Sequence, residues 1–197
     1  MRGESPCCAV AELALDGAHN QANALAALAM GHHLGLPLAA MVAVLRRFPG
    51  LPHRGELVAE VDGVRWINDS KGTNVGATLA AIDGLGPTLE GRLILLAGGV
   101  GKGADFRPLA APLARYGRGA ILFGRDAGRL EDALRGRLPV TRVEDLQAAV
   151  ARAADIAMAG DCVLLSPACA SLDQFSDYQA RGAAFCGAVR RLAGEVT

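Results

Sequence analysis

The chain has 197 residues, 51% of them hydrophobic and 20% charged, and its formal net charge is zero. That composition supports a substantial core in one large domain, or in one domain with part of another, and excludes a disordered chain. Acids and bases are interspersed, so a nucleic-acid-binding surface is not expected as the main function, although a local basic pocket is compatible with these totals.

Residues 1–18 carry no complete element that the pattern assigns. Glu4 and Glu12 stand where a signal peptide needs a basic start and an unbroken apolar run. The most apolar stretch, 22–45, is interrupted by His32, His33, Gly35 and Pro37, which predicts a buried helix pair and not a membrane span. The five cysteines, Cys7, Cys8, Cys162, Cys169 and Cys186, form no CxxC pair, and their odd number favours free thiols in a reducing compartment. The expectation is a soluble, cytoplasmic protein.

From Asn20, NQANALAALAMGHHLG has helical spacing and ends at Gly35. Pro37 then opens a second helix, LAAMVAVLRRF. The Pro/Gly-rich PGLPHRG, 49–55, is the expected domain boundary. Beyond it, strands are predicted at 57–61, 64–68, 93–97, 120–124, 139–143 and 162–166. Helical patterns occupy roughly 74–85, 106–116, 127–135, 144–158 and 173–193. Asp62-Gly63 suits a type I′ hairpin turn between the first two strands. The alternation that follows predicts an α/β fold, a mostly parallel sheet with helices on both faces.

Ligands of open α/β sheets bind beyond the carboxyl ends of the strands. Four loops follow strands directly here: NDSKGTN, GGVGKGAD, GRDAG and SPACASLDQF. Lysine and asparagine are rare in this chain. The only lysines, Lys71 and Lys102, fall in the first two of these loops, and two of the four asparagines, Asn68 and Asn74, flank the first. Gly72, Gly98, Gly99, Gly101 and Gly103 permit close backbone approach and positive φ. Two ammonium groups, helix N-termini and the hydroxyls of Ser70, Thr73, Ser166 and Ser171 together make a carboxylate or phosphate site, with Asp69 free to hold a hydroxyl or orient a lysine.

Blander roles exist for each part. Glycine-rich βα turns are common as structure alone, and no GxxxxGK[ST] phosphate loop occurs in the chain. Asp69, Ser70 and Thr73 are also good helix caps, as is Asn20, with His19 a surface neighbour. His32-His33 reads as an exposed helix end, Cys169 as a small buried residue with no basic partner, and Phe175 and Tyr178 as core or rim aromatics.

Six segments in order, HNQANALAALA, GLPHR, VRWINDSKGTNVGAT, LLAGGVGKGADF, LFGRD and LLSPACASLDQFSDYQARG, resemble the bacterial Mur ligases, and within them the D-glutamate-adding branch. The resemblance runs from about Gly17 to Gly194. It implies that residues 1–50 are a helical remnant, the C-terminal end of a central ATP-binding domain. Residues 51–197 would be the family's C-terminal Rossmann-like domain. The implied reaction is ATP-dependent addition of D-glutamate to UDP-N-acetylmuramoyl-L-alanine in peptidoglycan synthesis, through an acyl phosphate and a tetrahedral intermediate, with Mg2+ neutralising the phosphates. By the same resemblance, Asn20 and Asn23 meet the adenine of ATP, Arg54 reaches its phosphates and Asp69 its ribose. Lys71 is the catalytic residue beside the reacting phosphates. Thr73, Lys102, Ser171, Leu172 and Tyr178 form the D-glutamate pocket. No metal ligand is assigned, since the family's phosphate loop, carbamylated lysine, magnesium-binding glutamate and UDP pocket have no counterpart in these residues; on these residues alone the chain is expected to be inactive. The family's glycine loop usually carries an acid where Val100 stands. Another Mur-type or folylpolyglutamate-type ligase, or a non-catalytic amino-acid- or nucleotide-binding module, are the alternatives.

Overall fold

The computed structural model describes residues 7–15 and 18–194. They form two compact units that divide between Gly50 and Leu51.

In the first unit, α1 (Ala18–His33) and α2 (Leu38–Leu45) are joined by a tight turn. Gly35 takes φ 74°, its amide donates to His32 O, and Leu36 N donates to Gly31 O at 2.9 Å. This is a left-handed helix stop of the kind that glycine supplies at no steric cost. Pro37, at the cap of α2, cannot continue the ladder and starts the next helix instead. Asn20 lies inside the first turn of α1 and not at its cap. Val42 is buried, whereas Leu25, Met30, Leu34 and Leu36 are largely exposed.

The second unit is a six-stranded sheet ordered β1-β2-β6-β3-β4-β5. Strands β1 (Glu56–Val61) and β2 (Val64–Asn68) form the predicted hairpin. Asp62 and Gly63 both have positive φ, 52° and 74°, as a type I′ turn demands. Strands β3 (Leu93–Gly98), β4 (Gly117–Phe123), β5 (Val140–Arg142) and β6 (Cys162–Leu165) are parallel to β2. Successive residues of each central strand face opposite layers. Leu93, Leu95, Leu122 and Leu164 pack under α3 (Val75–Leu85), α4 (Ala110–Tyr116) and α5 (Ala127–Leu134). Ile94, Leu96, Ile121 and Val163 pack under α6 (Leu146–Ile156) and α7 (Tyr178–Leu192). The continuous apolar runs in the sequence reflect this two-sided burial.

Several boundaries differ from expectation, and two have a clear physical cause. Strand β4 begins at Gly117, three residues early, because Gly117 and Gly119 run close to neighbouring backbone where a side chain would not fit easily. Helix α7 begins at Tyr178, five residues late. Residues 171–177 instead form a turn in which Gln174 N and Phe175 N donate to Ser171 O, and Asp177 caps the helix by accepting from Ala180 N at 2.7 Å. Among the described residues no helix is long and apolar enough to cross a membrane.

The connections from β2, β3 and β4 run through the first helical layer, and the chain after β6 enters α7 on the other. In open α/β sheets, the carboxyl edge beside such a change of layer is where ligands bind.

Candidate functional site

The four loops at that edge are tied to one another through the loop that follows β6. Asp69 N donates to Leu165 O at 2.8 Å, and Ala168 N to Gly72 O at 2.9 Å, which joins it to the loop after β2. Val100 and Ala170 exchange both backbone bonds, at 2.8 and 3.0 Å, which joins it to the glycine loop after β3. The Asp173 carboxylate accepts from Arg125 N at 2.8 Å, which joins it to the loop after β4. Gly98 and Gly99 have φ of 140° and 122°, and a Cβ on either would collide with Phe123 O or Ala170 O. Gly72 and Gly101 are needed for a different reason: they adopt ordinary φ, but protein atoms fill the space a side chain would need. The glycines thus interlock the loops before they accommodate any ligand.

Sequence-level caps are overturned at NDSKGTN. Asn74, and not Asp69, Ser70 or Thr73, caps α3 by accepting from Ala77 N at 3.0 Å. Ser70 and Ser166 do not present hydroxyls to a ligand, because both are fully buried. Ser70 Oγ donates to Tyr178 O at 2.8 Å, and Ser166 Oγ donates to Asp69 Oδ2 at 2.7 Å. Burial pushes the Asp69 carboxyl up to about 6, against the opposing effects of the Ser166 hydrogen bond, a Gly55 backbone hydrogen bond and the Arg54 charge.

Lys71 stands with Nζ 4.2 Å from the centroid of the Tyr178 ring, a cation–π contact that leaves the ammonium's donors available. Tyr178 in turn meets His53 edge-on, with ring centroids 6.2 Å apart and an interplanar angle of 82°. Lys102 is exposed at φ 50° on the glycine loop. An acid is supplied to that loop despite Val100: Asp126, in the loop after β4, accepts from Gly101 N at 2.6 Å. Ser171 is buried, Thr73 is half-buried and Leu172 is exposed, all on these loops. Arg54 is exposed and close enough to Asp69 to act on its charge. The structure therefore brings Arg54, Asp69, Lys71, Thr73, Lys102, Ser171, Leu172 and Tyr178 to one edge of the second unit. Asn20 and Asn23 belong to the first unit, where their spacing of three sets them on one side of α1.

Two residues at this edge carry more of the geometry than their sequence context suggested. Asn68 is fully buried, with Oδ1 accepting from Ser70 N at 3.1 Å and Nδ2 2.8 Å from His53 Nδ1. Arg181 is a fully buried guanidinium that, among the described residues, has no carboxylate in hydrogen-bond contact. It donates from Nε to Ser70 Oγ (3.0 Å), from Nη2 to Ser70 O (2.9 Å) and from Nη1 to Cys169 O (3.1 Å), clamping the β2 loop to the β6 loop. Burial lowers its pKa to about 10, so it remains a cation at neutral pH. The only sequence signal was an arginine in an otherwise small-residue helical turn, QARGAA.

Burial also pushes the thiols of Cys162 and Cys169 up to about 12, which removes them as nucleophiles. Among the described residues no group of three or more His, Cys, Asp or Glu side chains gathers to hold a metal ion. A groove of about 660 Å³ between the start of α6 and α7 is lined by Glu144, Gln147, Ala184 and Arg191 and contains none of the candidate site residues.

The model of the family described as Mur ligase, glutamate ligase domain, matches residues 53–169, from His53 to part-way along the loop after β6. The chain belongs to the Mur ligase family. A UDP-N-acetylmuramoylalanine--D-glutamate ligase of Chromohalobacter salexigens is 70% identical over 184 residues, 93% of this chain and 40% of that protein. A ligase of the same name from Nitrosococcus oceani is 56% identical over 192 residues, 98% of this chain and 42% of that protein. This Mur ligase chain thus spans about two fifths of the length of the curated relatives it matches. The solved UDP-N-acetylmuramate-alanine ligase of Thermotoga maritima shares the fold, with a TM-score of 0.66 at 18% identity over 92% of this chain and 39% of that one.

Proposed function

We propose that this chain is the C-terminal portion of an ATP-dependent ligase that adds D-glutamate to UDP-N-acetylmuramoyl-L-alanine in peptidoglycan synthesis. Residues 1–50 are then the end of its central ATP-binding domain, and 51–197 its C-terminal domain. The observation that carries the reading is the 70% identity to a D-glutamate ligase across both units. The edge chemistry supports it, since a dicarboxylic amino acid calls for cations and hydroxyls of the kind found there.

In this reading Lys102, Thr73, Ser171 and the backbone around Leu172 receive D-glutamate, with Tyr178 as the wall. Charge-assisted hydrogen bonds of this type are each worth about 1.5–3 kcal/mol. Lys71 faces the acyl phosphate formed from the muramyl carboxylate and the γ-phosphate of ATP, and offsets the charge that develops as the D-glutamate amine attacks. Asp69 accepts from the ribose hydroxyls, Arg54 pairs with the phosphates, and Asn20 and Asn23 meet the adenine. Mg2+ would neutralise the charge of the phosphates, held mainly by the central-domain part of the ligase that lies outside these residues.

The test joins this chain to the remainder of the 70%-identical relative and measures phosphate release with a panel of amino acids. Release that requires both UDP-N-acetylmuramoyl-L-alanine and D-glutamate is the expected result. Release driven by another amino acid in preference to D-glutamate would refute the assignment.

A further inference from the structure

We propose that His53 is a positioning residue: a neutral imidazole with an unprotonated Nδ1, which through Asn68 and Tyr178 sets where the Lys71 ammonium stands. Its link to catalysis rests on the role of Lys71 proposed above; its geometry does not.

The protonation state follows from Asn68. The amide orientation of Asn68 is fixed from both ends, because Oδ1 accepts from Ser70 N while Nδ2 faces two further oxygens, Glu56 Oε2 at 3.3 Å and Gly182 O at 3.4 Å. Turning the amide over would set oxygen against both of these acceptors and leave the buried Ser70 N–H without a partner. Nδ2 is therefore the donor to His53 Nδ1 at 2.8 Å, and that nitrogen must accept. The proton of the neutral ring then sits on Nε2.

The ring itself has little freedom. His53 holds φ 64°, its N–H donates to Glu56 Oε2 at 2.9 Å, and its carbonyl accepts from Lys71 N at 3.0 Å. Gly182 of α7 lies directly beneath Nδ1, where no Cβ fits. The imidazole meets the Tyr178 ring, and the Tyr178 ring carries the Lys71 ammonium. Backbone and rings both run from His53 to Lys71.

A proton on Nδ1 would set two donors against each other at the Asn68 contact. The Glu56 carboxylate of β1 lies 3.9 Å from Nδ1, and the Lys71 ammonium stands on the Tyr178 ring. Cys186 Sγ of α7 and the Tyr178 hydroxyl complete the titratable surroundings.

The test is nuclear magnetic resonance of this chain labelled in histidine and lysine, which its four histidines and two lysines make assignable by single substitutions. At neutral pH His53 should show an unprotonated Nδ1 and a protonated Nε2. The Lys71 side-chain protons should be shifted upfield by the Tyr178 ring relative to those of Lys102. In His53→Leu the Lys71 signals should move while those of Lys102 stay in place. His53→Asn, which accepts through Oδ1 and tolerates positive φ, should keep the Asn68 amide shift that His53→Leu loses. A proton on Nδ1 at neutral pH, or Lys71 signals unmoved by His53→Leu, would overturn the proposal. If the signals behave as expected but Lys71→Ala leaves turnover of the joined ligase unchanged, the positioning stands and the functional reading fails.

Discussion

Two aspartates in the second unit respond to burial in opposite ways. Asp161, at the amino end of β6, is fully buried; burial alone would raise its carboxyl, but hydrogen bonds from Arg118, Arg92 N and Met158 N outweigh it and hold the carboxyl below its ordinary value. Asp69 has a single side-chain donor, Ser166, and its carboxyl is raised to about 6. A raised carboxyl means that the folded state holds the proton more tightly than the unfolded chain. The contribution of Asp69 to stability is therefore present at about pH 4 and declines as the pH rises to about 6. Asp69→Asn should remove that decline, so its stability relative to the parent should improve by up to about 3 kcal/mol between pH 4 and pH 7. Urea unfolding at several pH values measures this, and a difference that does not vary with pH would contradict it. A charge held at such expense suits a group that a ligand's hydroxyls would stabilise. At this scale the sequence was informative where rare residues clustered, as with Lys71, Lys102 and Asn68. It was silent on partners distant in the chain. Arg181 and Ser70 lie 111 positions apart, and nothing local marks either as half of a clamp.

Elements were legible where one local force dominates. The Asp62-Gly63 turn, the Gly35-Pro37 break and the apolar runs of β3 and β6 each have a single physical cause, and each forms where the pattern sets it. The start of α7 was not legible, because 173–177 has helical spacing but its polar groups are used elsewhere: Asp173 holds the amide of Arg125, and Gln174 Nε2 donates to Glu144 O at 2.8 Å. The same competition fixes the opposite edge of the sheet. Arg118 forks onto Asp161, which also accepts from Arg92 N (2.8 Å) and Met158 N (2.9 Å), stapling β4, β3 and β6 at their amino ends. Removing the buried Asp161 carboxylate leaves the Arg92 and Met158 amides without their acceptor, at a cost of about 1–3 kcal/mol each. Asp161→Ala should lose about that much in denaturant unfolding; a loss under about 1 kcal/mol, the range of surface pairs, would show that the staple is not structural.

Across the whole molecule, one edge of the sheet is fastened for stability and the other is assembled from loops. Alternation of strand and helix was enough to anticipate the α/β class, and strand-end position was enough to choose the edge. The order of the strands was not, since β6 inserts between β2 and β3 through pairings that no local pattern encodes. That insertion is what brings SPACASLDQF between NDSKGTN and the glycine loop. The first unit has a different character: Leu25, Met30, Leu34 and Leu36 are exposed, and this Mur ligase chain spans about two fifths of its curated relatives. The proposed function is therefore tested in the chain joined to the remainder of its 70%-identical relative. The most direct measurement is the D-glutamate KM of the joined enzyme with Lys102→Ala. Loss of one charge-assisted hydrogen bond, about 1.5–3 kcal/mol, predicts a KM raised by roughly 10- to 150-fold. KM and kcat both at parental values would mean that the carboxyl edge of this sheet is not where the amino acid is held.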